Sequence, residues 1–157
     1  MFEIMTREIA EQLVLTERSH VFVDRLPDWI GAALGRQHGA LASAGSPADL
    51  PSFVAFHGEV SDTADGPVEA CTPLDPEVAA RVDLSSRVEP AHREVYTTIT
   101  RAQLSYPEIL AAYAAVETWV QETGESIVGP PREVYFTDVM AAGPHDAVAD
   151  VAFPIAR

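Results

Sequence analysis

Two short stretches, LPDWI at residues 26–30 and YPEIL at residues 106–110, repeat one pattern of residue types. Each has a large apolar residue, a proline, an acidic residue and two further large apolar residues, and Pro27 and Pro107 are 80 residues apart. Proline suits the first turn of a helix, because the missing N–H has no intrahelical partner there. Both stretches therefore predict the beginning of a helix, and together they indicate one structural unit used twice.

Apolar residues recur at helical spacing after both stretches. The first stripe covers about residues 26–44, and its members are Leu26, Trp29, Ile30, Ala33, Leu34 and Leu41. The second stripe consists of Ile109, Leu110, Tyr113, Val116 and Val120. Ser105 and Glu108 have the spacing of a capping box at the start of the second helix. Gly45 and Gly124 predict where the two helices end.

Strand-forming segments flank both predicted helices. Long β-prone stretches precede them at residues 4–23 and 82–100, and two shorter ones follow each, at residues 52–57, 68–72, 133–139 and 148–153. PSFVAF at residues 51–56 aligns with PREVYF at 131–136, again 80 residues apart. TPL at residues 72–74 aligns with FPI at 153–155, at an offset of 81. Helices and strands thus keep nearly the same register in both halves.

These matches predict one α+β domain over residues 1–157, built from duplicated βαββ units with pseudo-two-fold symmetry. The repeats are expected at about residues 1–77 and 78–157, with an antiparallel sheet and two main helices. A helix would cover one face of each half-sheet, so the other faces must meet or enclose something. We therefore expect a central ligand groove between the repeats, along their shared axis.

Composition excludes several classes of function. The 10 basic and 24 acidic residues give a net charge of −14, which disfavours direct binding of nucleic acid. The chain has no Lys, which excludes Schiff-base chemistry and Lys-dependent phosphate loops. Cys71 has no disulfide partner, and no spacing of His and Cys suggests a metal site. We expect no metal and no cofactor, no membrane segment, and a cytoplasmic location.

The second half resembles the GyrI-like effector-binding family. The resemblance rests on the helix from Tyr113 through Trp119 and Val120, on Gly124, on GPPREVY at residues 129–135 and on AFPI at 152–155. It implies a duplicated βαββ fold, which occurs alone or behind DNA-binding helices in drug-responsive transcription regulators. No helix-turn-helix precedes Met1, so a stand-alone version is expected. The resemblance also implies that Glu133 lies among aromatic residues and meets cationic ligands.

Residue alternation gives a separate argument for Glu133. In a strand, Glu133, Tyr135 and Thr137 share one face. The offset of 80 places Phe53 and Ala55 at the positions equivalent to Glu133 and Tyr135. We therefore expect a carboxylate among ligand-binding aromatic residues, namely Phe53, Tyr96, Tyr113, Trp119 and Tyr135. Burial would raise the pKa of the carboxyl group, and a bound cation would favour its charged form. The alternative for Glu133 is an exposed strand residue without a role. We favour core packing for Trp29 and Trp119, and Trp119, at the edge of its stripe, could also reach the groove.

Three functions from different classes follow. The first, which we favour, is a binding protein for small drug-like molecules that are aromatic and cationic or amphipathic. The second is a hydrolase that opens strained cyclopropane rings of toxic natural products, as the resemblance implies for some relatives. Glu133 would activate water, and Tyr135 would position it or protonate the leaving group. The third is an inhibitor that binds a basic protein partner through the acidic surface. The sequence leaves the oligomeric state open.

Overall fold

A computed structural model describes residues Met1–Arg157 and contains eight β-strands and three α-helices. The strands are β1 (Met5–Ile9), β2 (Gln12–Val21), β3 (Ser52–Phe56), β4 (Gly66–Pro73), β5 (Ser86–Glu89), β6 (His92–Thr100), β7 (Arg132–Tyr135) and β8 (Ala147–Ile155). The helices are α1 (Leu26–Ser43), α2 (Arg101–Leu104) and α3 (Leu110–Thr123). The α+β class and the antiparallel pairing of the strands are confirmed. The order strand, helix, strand, strand occurs twice along the chain.

The chain divides into two compact units. The N unit is Glu11–Pro90, with its strands in the order β3-β4-β2-β5. The C unit combines Met1–Ala10 with Ala91–Arg157, and its strands follow the order β1-β6-β8-β7. Each unit therefore has four antiparallel strands, and each contains one long helix.

The edge strand of each unit comes from outside the repeat that the sequence suggested. β1 pairs with β6, with Arg7 opposite Glu94, although β1 lies next to β2 in the chain. β5 pairs with β2, with Arg87 opposite Val14, although β5 is followed at once by β6. The compact units consequently do not coincide with the halves 1–77 and 78–157. The two long β-prone stretches each split into two strands, and Pro90, which has no N–H, lies at one of these breaks.

In the N unit, α1 packs on one face of the sheet. Leu15, Leu41 and Val78 form a buried apolar cluster there. Gln37 of α1 is also buried; its side-chain amide donates to the Ala70 carbonyl at 2.9 Å, and its Oε1 accepts from Thr72 Oγ1 at 2.7 Å. Thr72 therefore points toward α1, and its neighbour Cys71 points to the opposite face, because side chains alternate along a strand.

In the C unit, α3 packs on β6 and β8. The buried core includes Val95, Ile99, Ala112, Val116, Val120, Val151 and Ile155. Burying one such aliphatic side chain contributes roughly 1.5–3 kcal/mol, so this stripe accounts for the position of α3. The predicted stripe is correct at Ile109, Val116 and Val120, which are buried, whereas Leu110 is exposed.

The helix ends follow local sequence signals, with one correction. Gly45 and Gly124 have φ values of 77° and 74°, a left-handed conformation that glycine adopts without strain, so both predicted helix ends are confirmed. The predicted capping box at Ser105 is wrong. The capping box lies at Thr100 and Gln103, which begin α2, because Thr100 is extended and Gln103 reaches back to its N–H at 2.8 Å. No helix combines the length and the apolar character needed to cross a membrane.

Candidate functional site

A carboxylate held by two tyrosine hydroxyls lies between β7 and α3 of the C unit. The alternation of β7 puts Glu133 and Tyr135 on one face, and α3 brings Tyr113 to the same place. Tyr135 Oη donates to Glu133 Oε1 at 2.7 Å, and Tyr113 Oη donates to Glu133 Oε2 at 2.6 Å. Only 6% of the Glu133 surface is exposed. Each carboxylate oxygen thus has one hydrogen-bond donor, and both donors are uncharged.

The surroundings of this carboxylate are apolar and aromatic. Tyr113, Trp119 and Tyr135 are partly buried and pack against the C-unit core. The ring of Phe153 meets the ring of Tyr113 edge to face, with the centroids 5.9 Å apart at 82°. We refer to these three partly buried residues at the C-unit core as the aromatic border; two of them, Tyr113 and Tyr135, bind Glu133 directly.

Burial controls the protonation of this cluster. Burial raises the pKa of Glu133 above its ordinary value, although the hydrogen bonds from Tyr113 and Tyr135 act in the opposite direction. Burial and the neighbouring carboxylate also raise the pKa of both tyrosines well above 10. The hydroxyls therefore stay protonated and act as donors, and burial favours the protonated form of Glu133 more than it would for an exposed Glu.

Other buried carboxylates of the protein have arginine partners. In the N unit, Glu69 is fully buried and accepts from Arg87 Nε at 2.6 Å and from His57 Nε2 at 2.9 Å. Burial alone would raise its pKa, but the hydrogen bonds from Arg87, Thr16 and His57 lower the pKa to about 2.

In the C unit, one arginine forms ion pairs with two buried carboxylates. Arg7 lies 2.7 Å from Glu94 and 2.8 Å from Asp150. Burial opposes ionisation of Glu94, yet the His92 hydrogen bond and the charge of Arg7 lower its pKa. Glu133 has no such cationic partner and differs in this respect from Glu69, Glu94 and Asp150.

The N unit has the same arrangement of strands and helix but lacks the cluster of Glu133, Tyr113 and Tyr135. Ser52 bonds to Thr72 at 2.8 Å and to His38 of α1 at 2.8 Å, so Ser52 faces the helix as Glu133 does. Matching the faces gives an offset of 81 and pairs Glu133 with Ser52 and Tyr135 with Val54. The N unit thus places a small hydroxyl and an apolar residue at the two positions where the C unit places the carboxylate and a tyrosine.

The structure brings together some of the residues that the sequence singled out. Glu133, Tyr135 and Tyr113 are in direct contact, and Trp119 packs against the same core. The hydroxyl of Tyr113, which needs a partner when buried, has Glu133. Strand β7 ends at Tyr135, earlier than predicted, and residues 139–141 form a 3₁₀ turn.

Two expected neighbours lie elsewhere. Tyr96 is on the face of the C-unit sheet away from α3, where the Arg7 guanidinium stacks 3.9 Å from its ring centroid. Phe53 is a buried residue of β3 in the N unit, paired with Cys71 on the face away from α1. The offset of 80 was wrong by one residue at this strand, and a shift of one residue moves a side chain to the other face. The expected position of Glu133 on a helix-free face was also wrong.

Phe153 is a site residue that the sequence analysis missed. The strand pairing indicates its position. Glu133 pairs with Val151, and Phe153 follows two residues later on the same face of β8. Strand alternation therefore places Phe153 on the face that Tyr113 contacts, once the β7–β8 register is known.

Removing one donor tests the electrostatics of the cluster. We expect Tyr135→Phe to raise the pKa of Glu133 further, because a hydrogen bond to the charged form is lost while burial persists. The Glu133 side-chain carbonyl, followed by carbon NMR during a pH titration, measures this shift. Tyr106→Phe, at an exposed position, is the matched control and should leave the titration unchanged. An equal midpoint in Tyr135→Phe and the unmodified protein would contradict the assigned hydrogen bond.

Comparison with known proteins identifies the fold. No family model matches the sequence, and no curated protein matches it. The crystal structure of the EcmrR C-terminal domain has a TM-score of 0.77 at 19% identity, covering 100% of this chain and 99% of the other. A hydrolase encoded by lin2189 from Listeria innocua has a TM-score of 0.65 at 12% identity, covering 98% and 92%. The structure of SAV2435 bound to tetraphenylphosphonium has a TM-score of 0.57 at 13% identity, covering 98% and 94%. These similarities support the GyrI-like effector-binding fold and, at such identities, establish the fold alone.

Proposed function

We propose that this protein binds small lipophilic cations, with the Glu133 carboxylate as the charged contact. One observation carries the proposal: Glu133 is buried and both its oxygens are held by neutral tyrosine hydroxyls, whereas Glu69, Glu94 and Asp150 have arginine partners. A buried charge without a counter-charge costs free energy. A bound cation supplies the missing counter-charge, so it interacts more strongly here than in water.

The aromatic border adds to this preference. Tyr113, Trp119 and Tyr135 are partly buried, so each packs against the core and retains some exposed surface. An aromatic face attracts a cation by about 0.5–2 kcal/mol, and it also buries apolar surface of the ligand. A ligand that is both aromatic and cationic fits this combination better than a sugar, a phosphate or a metal ion.

Two predicted contacts are not part of the proposal. Tyr96 already stacks with Arg7 on the other face of the C-unit sheet. Phe53 belongs to the N unit and faces away from its helix. The proposed site is therefore built from C-unit residues, namely Tyr113, Trp119, Glu133 and Tyr135.

Known structures of similar fold support the ligand class. SAV2435 was solved bound to tetraphenylphosphonium, a lipophilic aromatic cation. The EcmrR C-terminal domain has the GyrI-like fold. Tetraphenylphosphonium is therefore a suitable first probe for this chain.

A calorimetric titration with tetraphenylphosphonium at several pH values tests the proposal. Burial raises the pKa of Glu133 in the free protein, and a cation favours the ionised form. Affinity should therefore increase as pH rises through that pKa and become constant above it, with protons released on binding. Proton release is measured by repeating the titration in two buffers that differ in ionisation enthalpy. Triphenylphosphine oxide, which is neutral, should show no such pH dependence. A cation affinity that stays constant over the whole pH range would contradict the proposal.

Hydrolysis is a second candidate function. A carboxyl group with a raised pKa, next to two phenol hydroxyls, has the residue types that general acid–base catalysis uses. The lin2189 protein, which shares the fold, is described as a hydrolase. Incubation with an electrophilic cyclopropane and mass analysis of the products distinguishes the two functions. A ring-opened, hydrated product that is absent with Glu133→Gln would favour catalysis.

A further inference from the structure

The outer edge of β2 in the N unit is open along part of its length. β5 pairs with β2 only as far as Leu15, which lies opposite Ser86, and the Thr16 N–H then donates to the Ser85 carbonyl at 2.9 Å. Beyond this point, residues 17–21 pair with β4 on the inner side, and no strand lies on the outer side. An edge with unpaired backbone groups is a template for another strand.

The direction of the backbone groups along this edge can be established. The Thr16 N–H points outward, toward Ser85. Arg18 and His20, which pair with Glu69 and Pro67 of β4, follow Thr16 by two and four residues and therefore have the same backbone orientation. The Pro67 carbonyl is consistent with this orientation, because it points away from β2 and accepts from the His57 N–H on the β3 side. In an antiparallel ladder these directions alternate, so the N–H and C=O groups of residues 18 and 20 point away from β4. Both residues are exposed, so these groups are accessible.

The two ends of the open edge differ in chemistry. A cavity of about 400 Å³ opens beside Thr16, Arg18 and Leu84, and Leu84 is 37% exposed. At the other end, the Val23 N–H binds the Ser61 carbonyl, which fixes an acidic loop beside the strand end. Four exposed carboxylates surround that end without an arginine or histidine partner: Asp24, Glu59, Asp62 and Asp65. An apolar side chain fits the first end, and a basic one fits the second.

We propose that residues 17–21 of β2 bind an extended segment of a partner protein by strand addition. The segment carries Lys or Arg where it lies beside the acidic loop and an apolar side chain where it lies beside Leu84. Backbone hydrogen bonds to residues 18 and 20 provide the pairing, and the two side chains set the direction. The net charge of −14 favours a basic partner over a second copy of this chain. This site is separate from Glu133 and does not rest on the proposed function.

Fluorescence polarisation with a labelled peptide tests the proposal on the full chain. The probe is KRTVTVTL, whose basic end would lie beside the acidic loop in antiparallel pairing. We expect saturable binding below about 1 mM. The peptide KRTPTPTL, in which two prolines remove two backbone N–H donors, and the acidic peptide EETVTVTL should both bind about tenfold more weakly or worse. Failure of KRTVTVTL to bind, or equal binding of all three peptides, would overturn the proposal.

Variants of the edge make the test specific. Arg18→Pro/His20→Pro removes two outward N–H groups without removing a bond to β4, so KRTVTVTL should bind about tenfold more weakly. Arg18→Ala/His20→Ala keeps these groups and should bind the peptide at least as well as the unmodified protein. If the double proline variant does not fold, His20→Pro alone should weaken binding about threefold. Glu133→Gln should leave peptide binding unchanged, which separates this proposal from the cation site. A concentration-dependent dimer that dissociates in the proline variant would instead assign the edge to a second copy.

Discussion

Replacing Glu133 by Gln should weaken the binding of tetraphenylphosphonium about 10- to 100-fold, because a charge-assisted contact contributes about 1.5–3 kcal/mol. The substitution keeps the shape of the side chain. One of Tyr113 and Tyr135 can still donate to the amide oxygen, and the amide NH2 can donate to the hydroxyl oxygen of the other. The cation then loses its counter-charge in an apolar surrounding, where an ionic attraction is stronger than in water. Isothermal titration calorimetry above the Glu133 pKa measures the difference.

Three controls separate this effect from general changes in the protein. Glu117→Gln, on the exposed side of α3, removes the same net charge and should change the affinity by less than about twofold. Triphenylphosphine oxide should bind equally well to Glu133→Gln and to the unmodified protein. Thermal unfolding should show that Glu133→Gln is at least as stable, because it removes a buried group that has no cationic partner. Unchanged cation affinity in Glu133→Gln would mean that the charged contact lies elsewhere.

Replacing Arg87 by Met should lower the free energy of unfolding by about 3 kcal/mol, because it removes the main partner of a buried carboxylate. Arg87 forms two hydrogen bonds with the fully buried Glu69, at 2.6 and 3.1 Å. Without them, the Glu69 carboxylate keeps the hydrogen bonds from His57 and Thr16 and a longer ion pair, at 3.6 Å, with the exposed Arg18. Urea unfolding followed by circular dichroism measures the loss. Arg36→Met, which breaks the exposed pair with Glu17, is the matched control and should have little effect.

The pH dependence of the Arg87 effect has a definite sign. The pKa of Glu69 is about 2 in the folded protein and lies near 4.5 when the chain is unfolded. A carboxyl group with a lowered folded pKa contributes stability above its unfolded pKa, and this contribution is lost as pH falls through the folded pKa. The difference between Arg87→Met and the unmodified protein should therefore shrink between pH 4.5 and about 2.

A double variant identifies the cause of that loss. In Glu69→Gln/Arg87→Met the buried charge is gone, so much of the stability should return. If the double variant were no more stable than Arg87→Met, packing of the arginine stem, rather than the loss of the Arg87 charge beside Glu69, would explain the loss of stability.

Local patterns in the sequence were sufficient for much of the fold. The apolar spacing predicted α1 and most of α3, since a helix repeats every 3.6 residues and its stripe is visible within one segment. Gly45 and Gly124 marked the helix ends, because a left-handed residue after a helix favours glycine. The shared face of Glu133 and Tyr135 followed from the two-residue period of a strand. These features depend on residues that are neighbours in the chain.

The alignment of the two repeats shows where sequence patterns fail. An offset of 80 matched the residue types of PSFVAF and PREVYF, yet the strand faces match at an offset of 81. Strand β3 is buried on both faces, and Phe53 and Val54 are both inaccessible to solvent. Because apolar residues occupy both faces, the pattern of residue types cannot show which face each side chain takes. Phe53 was consequently assigned to the wrong face.

Tertiary structure alone decided the partners that lie far apart in the chain. β1 pairs with β6 rather than with the adjacent β2. Tyr113, 20 residues away in the chain, donates a hydrogen bond to the second carboxylate oxygen of Glu133. Arg87 reaches Glu69 from the neighbouring part of the sheet, and Arg7 reaches Asp150 from the opposite end of the sequence. The sequence by itself determined the two long helices, the strand alternation and the charge of this protein. Folding buries both Glu133 and Glu69, but it gives arginine partners to Glu69 alone. The pKa of Glu133 is therefore raised, and the pKa of Glu69 is lowered. Both effects depend on distances between residues far apart in the chain, which no local pattern encodes.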